Sequence, residues 1–106
     1  MKPTLEEQLK KKILILDGAM GTMIQQENLT AADFGGEDLE GCNEYLCVTR
    51  PDVISKIHDA YFEAGADIIE TNSFGTTSVV LAEYGLETRA RELNLAAAKL
   101  AVESAK

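Results

Sequence analysis

The chain has 106 residues, 45% of them hydrophobic and 26% charged, and its 18 acidic against 10 basic side chains leave a net charge of −8. Such a composition excludes intrinsic disorder and the length allows one domain at most. With no basic cluster larger than Lys10 to Lys12, no long apolar run and no signal-like core in the start MKPTLEEQ, a nucleic-acid partner, a membrane span and export are all disfavoured, and the expected compartment is the cytoplasm.

In chain order, Thr4 followed by Glu7 has capping-box spacing and predicts a short helix carrying Leu5 and Leu9. The run Ile13 to Leu16 then enters Asp17 and Gly18, as a strand buried on both faces would if it ended in a sharp turn. In parallel α/β folds that carboxyl end is where ligands bind. Gly18 and Gly21 permit a close approach to the main chain, although the same residues also make a plain turn. Met20, Met23 and Ile24 follow at helical spacing and read as core filling.

From Leu29 to Thr49 no period is sustained, and the stretch reads as an insertion after the first strand. Within it Cys42, Asn43, Glu44, Tyr45 and Leu46 form the densest group able to meet a polar ligand, or equally an Asx-type turn around Asn43. Cys42 and Cys47 read as two free thiols, since a closed zinc site needs four ligands and a disulfide needs an oxidising compartment.

Pro51 and Asp52 open the most secure helix, with Val53, Ile54, Ile57, Tyr61 and Ala64 on its stripe and Gly65 as its stop. His58, beside Ile57, reads as a packing residue with no assigned role. Ala66 to Asn72 is the second expected strand, with Glu70 and Asn72 on one side and polar groups at its carboxyl end. A short helix from Ser78 to Tyr84 and a long alanine-rich one from Glu87 to Lys106 complete the chain, the latter with Leu93, Ala97, Leu100 and Ala101 as its stripe.

Two parallel strands leave an open edge. One reading is a self-standing α/β module that binds a small molecule and dimerises. The other is α/β of a larger kind, the opening βαβα portion of a (β/α)8 TIM barrel, with an amino-terminal helix and an insertion at about 29–49.

The strings ILDGAMGTMIQ, NEYL, RPDVISKIHDAYFEAGADIIETNSFGTTS and AEYGLE, in order and over nearly everything from Ile13 onward, resemble the amino-terminal part of the homocysteine-binding (homocysteine S-methyltransferase) domain of cobalamin-dependent methionine synthases. The resemblance implies a barrel in which zinc, held by three downstream cysteines, activates homocysteine for methyl transfer from methylcobalamin to give methionine. It places the substrate at Asp17, Gly18, Ala19, Glu70, Asn72, Ser73 and Phe74, with Asp17 a partner for its ammonium group. Cys42 and Cys47 do not correspond to the zinc cysteines, so no catalytic or metal-binding residue is expected within the 106 residues, nor any bound zinc or cobalamin. Ala19 and the Cys42-Asn43-Glu44 run depart mildly from the relatives' pattern. The implied partners are homocysteine, the remaining barrel strands and the cobalamin- and folate-binding domains of a parent enzyme; the piece alone is expected to be inactive, to self-associate or partly unfold, and to have little or no affinity for homocysteine.

Overall fold

The computed structural model describes residues 2–106, and helices account for most of its regular structure. Thr4 caps α1 (Leu5–Lys11) by accepting the amide of Glu7 at 3.1 Å. The brief α2 (Gly21–Gln25) follows the glycine turn. Three 3-10 turns, Ala31–Phe34, Glu37–Leu39 and Asn43–Tyr45, lead into α3 (Leu46–Thr49). Pro51 occupies the first turn of α4 (Pro51–Glu63), where its missing N–H costs nothing. Thr77 caps α5 (Ser78–Leu81), which continues as a 3-10 turn to Tyr84 and stops at left-handed Gly85. A last 3-10 turn at Glu87–Arg89 opens α6 (Ala90–Ala105).

The expected βαβα opening of a barrel is not formed. Among the described residues the two anticipated strands meet at one isolated parallel bridge, Leu16 with Ile68, and make no sheet. Its rungs are Ile68 N to Ile15 O at 3.1 Å and Asp17 N to Ile68 O at 2.9 Å. Polar side chains end the ladder on both sides. Towards the amino end the amide of Ile15 donates to Asp67 Oδ2 at 2.9 Å, and the amide of Ala66 donates back to Tyr61 O at the end of α4. Towards the carboxyl end the amide of Glu70 donates to Asp17 Oδ2 at 3.1 Å, where the next rung would use a backbone carbonyl. The apolar run is correspondingly left in water, with Ile13 90% and Ile15 59% exposed.

The core lies instead among α3, α4 and α6. Leu46, Cys47, Val53, Ile54, Ile57 and Ala97 pack with Ile24 and Phe34 in one cluster, and Cys42, Leu81, Leu86 and Leu93 form a second. The stretch read as an insertion thus supplies Phe34, Cys42, Leu46 and Cys47 to the interior. It is tied down by Arg50, which reaches Asp33 at 2.7 Å and Asp52 at 2.9 Å, while a Thr30–Asp33 capping box begins its first turn.

Candidate functional site

The turn after Leu16 and the segment after Ile69 face one another because the Leu16–Ile68 bridge holds their bases together. They enclose a cleft of about 150 Å³ lined by Asp17, Gly18, Met20, Glu70, Thr71, Asn72, Ser73 and Phe74. Six of the seven anticipated substrate residues therefore share one cavity. Ala19 does not line it; its carbonyl turns aside and accepts from the Tyr61 hydroxyl at 2.6 Å. The same ring packs on Gly18, where a Cβ would sit 3.3 Å from the hydroxyl oxygen, so the turn rests on α4.

Asp17 carries the chemistry of the cleft. One oxygen, Oδ2, accepts the Glu70 amide, while Oδ1 is buried without a hydrogen-bond partner. Glu70 adds a second carboxylate to the lining. A buried acceptor beside a second negative group attracts a small cationic hydrogen-bond donor, and an ammonium group satisfies both demands.

The far wall is propped by the segment preceding α4. Buried Asn72 donates Nδ2 to Asn43 O at 3.0 Å and towards Cys47 Sγ at 3.6 Å. Gly75 N donates to Glu44 Oε2 at 3.4 Å, and a Cβ on Gly75 would lie only 3.1 Å from the Glu44 carboxyl carbon. Burial pushes the Cys47 thiol up to about 11, against the opposing effect of its Asn72 contact. Cys42 is raised by burial too. The thiols sit in different core clusters, and among the described residues no three His, Cys, Asp or Glu side chains gather to hold a metal ion. Zinc needs deprotonated thiolates in a tetrahedral set, so the residues present do not fit it.

A larger cleft of about 440 Å³, between Ile24, Leu29, Phe34 and Asn43, has none of the buried unpartnered polar atoms found among the described residues.

A family model of homocysteine S-methyltransferases matches residues 14–106. The chain belongs to the homocysteine S-methyltransferase family. The family match takes in every residue of the Asp17 cleft and all of α2 to α6. Residue patterns did not single out Thr71 as a member of the lining, or Glu44 and Tyr61 as its supports. Tyr61 lies on the apolar stripe of α4, and a hydroxyl on such a stripe was the available signal. No helix among the described residues is long and apolar enough to cross a membrane.

Proposed function

We propose that this chain forms part of the homocysteine-binding domain of a methionine synthase, a 5-methyltetrahydrofolate–homocysteine methyltransferase, and that the Asp17 cleft receives the amino group of homocysteine. The observation carrying this reading is that Asp17, whose Oδ1 is buried and unpartnered, lines a cleft together with the carboxylate-bearing Glu70. Charge-assisted hydrogen bonds of this kind contribute about 1.5 to 3 kcal/mol each. Binding there positions the substrate. The thiol must still be activated, since a free thiol near pKa 8.5 is mostly protonated at neutral pH. In the proposed parent, zinc and methylcobalamin belong to other residues and other domains. The raised, buried Cys42 and Cys47 do not supply that activation, and we expect the 106-residue chain alone to transfer no methyl group.

The reading is tested by amide chemical shifts of the chain titrated with L-homocysteine and, separately, with 4-sulfanylbutanoate, which lacks the amino group. Saturable shifts at Gly18, Glu70 and Ser73 with homocysteine alone are the expected result. Equal responses to both compounds, or none to either, would remove the cleft from consideration.

A further inference from the structure

Beyond Glu70 the far wall of the Asp17 cleft has no ladder to rest on. Among the described residues, the hydrogen bonds from Thr71 to Gly75 that reach the rest of the chain are those of Asn72 with Asn43 and Cys47 and the longer contact of Gly75 with Glu44. The others run between residues 71 and 76 and hold the segment only to itself. Asn72 lines the cleft, yet the residue is 6% exposed and its carboxamide has two donor hydrogens to place. Two acceptors meet them, Asn43 O at 3.0 Å and Cys47 Sγ at 3.6 Å, so the amino group has no hydrogen left for a ligand. We propose that Asn72 is a positioning residue and not a substrate contact: its carboxamide latches the wall from Glu70 to Phe74 onto Asn43 and Cys47, and so fixes that wall opposite Asp17. The identity of the ligand rests on the homocysteine reading above; the latch does not.

The partners suit a fixed anchor. Asn43 offers a backbone carbonyl, and Cys47 lies on α3 beside the fully buried Leu46, in the same core cluster. Neither can follow a displaced wall without disturbing that core. Burial pushes the Cys47 thiol up to about 11, so at neutral pH the sulfur keeps its proton and donates towards Asn72 O at 3.8 Å while accepting from Nδ2. An apolar side chain in place of Asn72 would pack on the same core without direction. A carboxamide held at two points sets how the backbone turns, and with it where Ser73 and Phe74 stand in the lining.

The test uses the full chain and two readouts. First, hydrogen exchange of the Asn72 side-chain amide is followed by NMR without ligand. It is expected to be about tenfold slower than that of the exposed Asn28 carboxamide and to accelerate in Cys47→Val. Exchange as fast as that of Asn28, or unmoved by Cys47→Val, overturns the latch. Second, homocysteine affinity is compared for Asn72→Asp, Cys47→Val and Cys47→Ser, with thermal unfolding to verify that each is folded. An Asp side chain matches Asn in size but has no N–H to give, and Val fills the space of the thiol without a hydrogen bond. Each is expected to weaken binding about tenfold, the scale of one or two neutral hydrogen bonds. Ser, whose hydroxyl donates and accepts, is expected to keep most of the wild-type affinity. A loss confined to Asn72→Asp would make Asn72 a substrate contact and contradict the proposal, as would equal affinities for all folded variants. If the wild type binds no homocysteine, the substrate reading falls, and the exchange rates still decide whether the latch exists.

Discussion

The two oxygens of Asp17 differ: Oδ2 closes the turn on the Glu70 amide, and Oδ1, buried and unpartnered, is the atom that the proposed ammonium contact would use. Asp17→Asn keeps the first contact and loses the charge behind the second, so homocysteine affinity should fall about tenfold to a hundredfold with little change in thermal stability. His58 sets a different dependence. Its pKa in the folded chain lies below 6.5, so as pH falls below that value the unfolded chain takes up a proton that the folded chain resists, and stability declines until the folded value is passed. Asp33, Asp52, Asp67 and Glu92 are held low by hydrogen bonds and by Arg50, Lys12 or Arg89. Their contribution is present above the unfolded carboxylate range and is lost as pH falls through their lowered values. Urea midpoints measured from pH 7.5 downward should therefore drop in two stages, and His58→Gln should abolish the first. At this scale much of the cleft lining was legible, because Asp17, Gly18, Glu70, Asn72, Ser73 and Phe74 mark the ends of two apolar runs. The burial of both His58 ring nitrogens without a partner was not, since a histidine on a helical stripe does not report its hydrogen bonds.

Periodicity at threes and fours identified α4 and α6, Pro51 and Gly65 marked the start and stop of α4, and Gly85 marked the stop after α5, because these signals are local. The two strands were misread because an apolar run reports only a wish for burial. Which partner it finds depends on residues far away, here Asp67 and Asp17, whose carboxylates intercept the amides that would extend the ladder. For the same reason the irregular stretch before α3 gave no hint that it holds core residues. The energetic consequence is measurable. Leu46 and Ile54 are fully buried between α3, α4 and α6, and truncating either to Ala should cost about 2 to 5 kcal/mol. Ile13→Ala and Ile15→Ala, in the run that looks most core-like by sequence, should cost no more than about 0.5 kcal/mol. Chemical denaturation of the four variants checks the ranking. Gly75→Ala should displace Glu44 and loosen the far wall of the cleft, read as weaker homocysteine binding in a chain that still folds.

The whole molecule is elongated, 47 × 27 × 19 Å, and its radius of gyration of 15.1 Å exceeds the roughly 13 Å of a compact chain this long. α1 buries none of its residues, and Ile13, Ile15, Leu16 and Ile68 line an exposed apolar edge beside a single backbone bridge. Apolar edges of this kind associate. Sedimentation at rising concentration should show self-association that Ile15→Lys and Ile68→Lys together reduce, with a concentration-independent monomer as the contrary result. The central proposal is that Asp17 receives homocysteine through its ammonium group. Titration calorimetry of L-homocysteine into the 106-residue chain and into Asp17→Asn tests it most directly. We expect saturable binding to the wild type that weakens at least tenfold in the variant. Binding of equal strength to both proteins, or no binding to the folded wild type, would contradict it.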